Sequence, residues 1–348
     1  MKFDPSRPRQ AEPPPATPSF TPLVAAASAT ALATAVGAAA ARTSYGVLAG
    51  HPPGGTQRWG RTNHAGSRVT LLEGPSVVAG VVTGAVTGAV CAWLSAPSAG
   101  SGRGLGRTVS GGLAGAGAAL LAGAVGAVDD LAGDSATKGL RGHLGALREG
   151  RVTTGALKIG GLASAGFVVA LTRLVADRRT STAGGSTVGG STVGGAGSNT
   201  LVRAGGALRA VVDVVVDTGV VAGSANLVNL LDLRPGRALK VAVAAGVPLA
   251  VAGCPTAGAV VGVTLVALPA DLAGRRMLGD TGANTLGAAL GAAVVDRSPR
   301  GVRLALLGLL VALTLLSERV SFTEVIESTP GLRELDAWGR EPRAGAGA

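Results

Sequence analysis

Polar and apolar positions in this chain separate into long blocks, not into the one-sided stripes of amphipathic helices. Phe20 to Ala41 runs 22 residues without a charge, Gly74 to Gly102 runs 29, Thr108 to Val128 runs 21 and Val241 to Ala270 runs 30. About 20 apolar residues carry a helix across the hydrocarbon core of a bilayer, so the last block holds two short spans broken at Cys254-Pro255. The pattern predicts helices over 22–41, 75–95, 109–128, 155–176, 205–223, 239–253, 256–272, 282–295 and 301–317. The last two are short for a bilayer, which requires longer ends or a locally thinner membrane. The expected fold class is all-α, a polytopic integral membrane protein with about nine transmembrane helices.

The blocks also divide the chain. Residues 1–19, Pro-rich and charged, read as a disordered N-terminal segment, and Phe20 to Ala41 as a retained first span instead of a cleaved signal. The transmembrane domain is expected over 20–317, with 177–204 as a flexible external loop because Gly184 to Gly195 repeats a five-residue unit that cannot bury a core. The tail 318–348 mixes Glu, Arg and apolar residues around Pro330 and predicts a short surface helix or two.

Composition supports the membrane reading. A mean hydropathy of +0.43 with 15% charged residues is too apolar for a water-soluble chain of 348 residues. The 57 glycines let helices approach closely. A net charge of +11 raises the question of nucleic acid, but Lys and Arg are scattered among loops and aromatics make up 2% of the chain. Membrane lipid and phosphorylated substrates are the expected partners, with no nucleic acid. Cys91 and Cys254 lie in apolar segments and read as small core residues.

Three polar clusters stand at helix ends: Asp129-Asp130, Asn226-Leu-Val-Asn229-Leu-Leu-Asp232 and Gly279-Asp280-Thr-Gly282-Ala-Asn284. Placing them on one side makes 42–74, 129–154, 224–238, 273–281 and the tail cytoplasmic, with 18 Lys and Arg there (Lys158 and Lys240 included) against 13 elsewhere, a weak positive-inside bias. Asp129-Asp130 precedes Lys138, Arg141, His143 and Arg148, so carboxylates for a divalent cation sit beside cations for phosphate. Taken alone, the pair is equally a solvated helix end. Asn229 and Asp232 share a face if helical and suit a base, a sugar hydroxyl or a metal-bound water, or else cap a helix before Arg234-Pro235-Gly236. The Gly279 turn offers backbone N–H groups to phosphate, or a simple cap by Asp280. Asp213 and Asp217, four apart in the fifth span, are expected to face the bundle, Asp217 nearer the acidic clusters. Asp271 is a candidate to support Asp280, and Asn63-His64 is either a phosphate contact or a turn.

Together these clusters, with Lys138-Gly-Leu140, Arg141 to Leu147 and Thr153 to Lys158, resemble the polyprenyl-phosphate N-acetylhexosamine-1-phosphate transferases of glycosyltransferase family 4. The likeness runs from about Arg42 to Gly291. It implies a plasma-membrane, multi-pass enzyme in which polyprenyl phosphate attacks the β-phosphate of a UDP-sugar, giving a lipid-linked cell-wall precursor and UMP. By resemblance, Asp129, Asp130 and Asp232 are catalytic; Asp280 and Asp130 hold Mg²⁺; Lys138, Asn226, Asn229, Arg141 and His143 bind substrate. A homodimer is among the expected assemblies.

The chain also departs from that family. Leu-Arg-Pro-Gly follows Asp232, and Ser317 to Glu327 stands where the family carries a histidine-rich motif, the only histidines being His51, His64 and His143. A non-catalytic scaffold or carrier for polyprenyl phosphate or a lipid-linked sugar is the alternative.

Overall fold

The computed structural model describes residues 21–63, 66–95, 102–132, 154–184 and 196–340. Residues 1–19, His64, Lys138, Arg141, His143 and most of the glycine-serine repeat lie outside them.

Among the described residues, nine long helices stand where the predicted spans fall: α1 Thr21–Gly50, α3 Glu73–Leu94, α4 Gly102–Ala132, α5 Thr154–Gly184, α6 Ala196–Leu231, α7 Arg237–Val251, α8 Pro255–Leu272, α9 Gly279–Arg297 and α10 Arg300–Ser317. Between α1 and α3 come a single turn, α2 Thr56–Trp59, and a hairpin of β1 Gly60–Thr62 with β2 Arg68–Thr70. Two short helices close the chain, α11 Phe322–Ser328 and α12 Leu332–Ala337.

Among the described residues, seven helices are long and apolar enough to cross a membrane: α1, α3, α4, α5, α6, α8 and α10. The chain is an all-α polytopic membrane protein. The other two long helices differ for separate reasons. With 15 residues, α7 reaches only about 22 Å. α9 is built largely from Gly, Ala and Thr, and its residues from Thr281 to Ala293 are all buried.

That burial places α9 at the centre, packed against α3, α4, α5, α6, α7 and α8. Close approach requires glycine at the crossings: a Cβ on Gly126 of α4 would strike the Asp280 carbonyl, and one on Gly74 of α3 would sit 2.6 Å from the Leu278 carbonyl oxygen. The outer helices keep Leu and Val outward, including Leu304, Leu309 and Leu315 of α10, a surface that suits lipid.

Several helices outlast their apolar blocks. α1 runs to Gly50 instead of ending near Ala41, α4 continues through Asp129 and Asp130, and α6 reaches Leu231. The first charge marks where the apolar environment ends, whereas a helix continues as long as no proline or competing cap interrupts its backbone hydrogen bonds. The segment expected as a loop over 42–74 therefore contains the end of α1 and the hairpin. Trp59, Leu71 and Leu72 bury that hairpin on Tyr45, Leu48, Leu131 and Met277. The break expected at Cys254-Pro255 is present, with Pro255 opening α8.

Candidate functional site

The end of α4, the start of α5 and the start of α9 meet at one end of the bundle. Asp130 Oδ1 accepts a hydrogen bond from the Asp280 backbone N–H at 3.0 Å, and its Oδ2 accepts from the Thr281 N–H at 2.9 Å and the Thr281 hydroxyl at 2.6 Å. Leu278, at the cap position of α9, makes no side-chain cap bond. Carboxylates from elsewhere in the chain do that work: Asp130 takes two of the first N–H groups, and the Gly279 N–H reaches Asp232. The expectation that these N–H groups cradle phosphate is thereby corrected, because carboxylates already occupy them. Gly279 has φ 61, a left-handed conformation, and a Cβ there would lie 2.9 Å from Asp130 Oδ2.

Beside this cap, Lys158 Nζ lies 3.3 Å from Asp129 Oδ2 and 2.5 Å from Asp280 Oδ2. Two carboxylates thus converge on one cation. Lys158 is the residue that sequence reasoning missed as a site member. Its signal lies in the Thr153 to Lys158 motif, at whose end the lysine stands.

Asp232 follows α6 and is 6% exposed, with Oδ2 lacking a hydrogen-bond partner. Burial pushes its carboxyl well above the usual carboxylate range, and the Asp271, Glu73 and Asp280 carboxylates push it further, against the Gly279 hydrogen bond. Glu73 at the start of α3 is 2% exposed with neither oxygen hydrogen-bonded, its nearest cation being Arg276 at 3.8 Å. Arg276 in turn lies 3.4 Å over the Tyr45 ring. Asn284, fully buried one turn beyond Asp280, has neither end of its amide partnered.

Not every expected residue joins this group. Asn226 donates to Thr314 Oγ1 of α10 at 3.2 Å, and Asn229 is half-buried on the same helix. Asp271 accepts from the Gly236 N–H, so it fastens the turn after Asp232 and does not contact Asp280. Asn63 Oδ1 accepts from the Ser67 N–H at 2.9 Å, which makes it a turn residue of the hairpin.

Asp217 lies away from the acidic clusters, contrary to expectation. It pairs with Arg303 of α10 and lies 3.8 Å from Arg173 of α5, while Asp213 lies 2.8 Å from Arg300. Arginines on neighbouring helices compensate both carboxylates at the other end of the bundle.

The tail folds against the turn that carries Asp232. Asp336 accepts from Arg237 Nε at 2.8 Å and Nη2 at 2.9 Å, Lys240 donates to the Asp336 carbonyl at 2.7 Å, and Arg340 donates to the Pro235 carbonyl at 2.9 Å. The Ser317 to Glu327 segment supplies Thr323 to Arg237 at 3.1 Å and Glu327 to Arg234 at 2.8 Å.

Among the described residues no group of three or more His, Cys, Asp or Glu is placed to hold a metal ion. Two carboxylates aimed at one cation remain a sufficient protein contribution for Mg²⁺, which keeps waters and takes further oxygens from substrate phosphate. No protein-family model, curated protein or solved structure matches this chain.

Proposed function

We propose that the protein transfers a sugar-1-phosphate from a UDP-sugar to polyprenyl phosphate, with the end of the bundle that carries Asp129, Asp130, Lys158 and Asp280 facing the cytoplasm of a plasma-membrane protein. One observation carries the reading. Three of the sequence motifs behind the family resemblance, separated by up to 151 residues, meet within hydrogen-bond distance at the start of α9.

The chemistry fits groups of this kind. A phosphate oxygen of the lipid attacks the β-phosphorus of the donor, the bond to the bridging oxygen breaks, and UMP leaves with that oxygen. Two anions must approach and charge builds on the departing UMP, so positioning and electrostatics supply most of the acceleration. Asp280 and Asp129 would hold Mg²⁺, which would supply positive charge to the diphosphate, Asp129 standing in for the expected Asp130, whose oxygens take the first N–H groups of α9. Lys158 moves from the carboxylates to the phosphate oxygens, and Lys138, Arg141 and His143 add positive charge next along the chain. Asp130 keeps Asp280 in place through its backbone, while Asp232, with Asn229 one helical turn before it, faces the sugar or nucleotide.

The carrier reading has its own support: Lys158 already offsets Asp129 and Asp280, and Asp130 is spent on the helix cap. Purified protein incubated with polyprenyl phosphate, Mg²⁺ and a panel of UDP-sugars distinguishes the two. UMP release with one donor supports transfer. Retention of polyprenyl phosphate with no UMP from any donor supports the carrier.

A further inference from the structure

At the end of the bundle opposite the acidic site, arginines from three helices line a cleft. The helix ends at 102–107, 173–184, 196–217 and 296–303 hold ten arginines and four aspartates in sequence, with no Lys or Glu. The aspartates are largely consumed internally. Asp217, 2% exposed, pairs with Arg303 and Arg173, Asp213 pairs with Arg300, and Asp177 lies 3.6 Å from Arg173.

The cleft itself, about 470 Å³, is lined by Arg107, Thr108, Arg173, Asp296, Arg297, Ser298 and Pro299. Three guanidinium groups therefore face one carboxylate. Asp296 lies 3.0 Å from Arg297 and 3.7 Å from Arg107, so two guanidinium groups share one carboxylate and one positive charge is left over, while Asp177 and Asp217 hold Arg173. Pro299 and Ser298 bring the start of α10 to the same wall, where the positive end of the helix dipole adds to the field. Arg107, with its side chain 44% exposed, is the arginine at the cleft most open to a ligand.

We propose that this cleft binds a phosphate-bearing anion. The forked donors of arginine match phosphate oxygens, and the low-dielectric walls of a helix bundle strengthen such bonds. In the orientation proposed above this end is external, where Lys and Arg are ordinarily few, so an arginine excess calls for an anionic occupant. Two sources share the chemistry: an anionic lipid headgroup, which lies at the depth of the helix ends, and free phosphate.

The test uses the full chain and does not depend on transferase activity. The protein is placed in nanodiscs of phosphatidylcholine with or without phosphatidylglycerol, bound lipid is read by native mass spectrometry, and inorganic phosphate is titrated separately against chloride at equal ionic strength. Arg107→Gln should weaken binding about tenfold, the low end of the loss expected for one charge-assisted hydrogen bond. Ser298→Asp, which adds a negative charge to the cleft wall, should do the same without touching an ion pair. Loss confined to phosphatidylglycerol assigns a lipid headgroup, and loss with inorganic phosphate assigns a free anion. Equal binding by the parent and both variants in every arm overturns the proposal.

Discussion

Asp130 on α4 caps a helix to which it does not belong: its two carboxylate oxygens take the backbone N–H groups of Asp280 at 3.0 Å and Thr281 at 2.9 Å. The contact ties the position of the Asp280 side chain to a residue 150 positions earlier. It also couples the start of α9 to the end of α4, the two helices that Gly126 lets meet backbone to backbone.

Asp130→Ala should therefore lower thermal stability as well as any UMP release. Loss of a helix cap costs about 1 to 2 kcal/mol, which differential scanning fluorimetry in detergent reads as a fall in the melting temperature. An unchanged melting temperature with lost turnover would show that Asp130 serves the ligand and not the helix.

Asp280→Asn keeps the size of the side chain but removes a charge directed at Lys158. If Asp280 holds Mg²⁺, UMP release should drop on the order of a hundredfold or more, with little change in melting temperature. Asp296→Asn, at the opposite end, should leave turnover near that of the parent. Near-normal turnover and Mg²⁺ response in Asp280→Asn would remove this residue from the proposed metal site.

Lys158→Met separates two roles of one ammonium. Without it Asp129 and Asp280 face each other unneutralised, so Mg²⁺ should bind more tightly, while transfer should slow because the phosphate loses its cation. Calorimetric titration of Mg²⁺ beside the UMP assay reads both. Weaker Mg²⁺ binding would contradict the arrangement.

Asp232 predicts a conflict between stability and function. Its folded-state pKa lies above the ordinary value of 3.8, so between the unfolded and the folded value the folded form keeps a proton that the unfolded form releases. Its contribution to stability is complete below the unfolded pKa and is lost as pH rises through the folded one. Asp232→Asn should raise the melting temperature at neutral pH, flatten its fall with rising pH, and abolish UMP release if the carboxyl faces substrate.

The tail should come away as pH falls. Burial opposes ionisation of Asp336, but Arg237 and Arg340 outweigh it and hold the carboxyl below the ordinary 3.8. Its stabilisation is thus complete above the unfolded pKa and is lost as pH drops through the lowered folded value. Hydrogen exchange over 322–337 should accelerate in that acid window, and Asp336→Ala should accelerate it at neutral pH, because Arg237 is left buried at a cost of about 3 to 5 kcal/mol. Unchanged exchange in the variant would mean that the tail is held by other contacts.

The apolar stretches by themselves determined the nine long helices of the described residues and their order, the four uncharged blocks giving α1, α3, α4, α7 and α8 and stretches with a few charges giving most of the rest. A bilayer has no water to satisfy backbone groups, so a stretch of about 20 apolar residues has few alternatives to a helix. The break at Cys254-Pro255 and the short tail helices were equally legible, since proline at a helix start and mixed charge act locally. Helix ends were not. Polar side chains at Arg42, Asp129 and Asn226 marked a change of environment, and the backbone continued through it.

Which polar residues meet was decided only by the tertiary structure. Asp129, Asp130 and Asp280 could be grouped from the sequence because each stands at a helix end, but nothing local indicated that Asp130 would take the N–H groups of α9 or that Lys158 would stand between the other two. Asp217 shows the opposite error: a carboxylate inside an apolar block suggested the acidic site, yet Arg303, 86 residues away, pairs with it at the far end. Such contacts depend on which faces pack and at what height along the bundle. Here glycines at crossings such as Gly74 and Gly126 decide that, because the backbones approach only where side chains are missing.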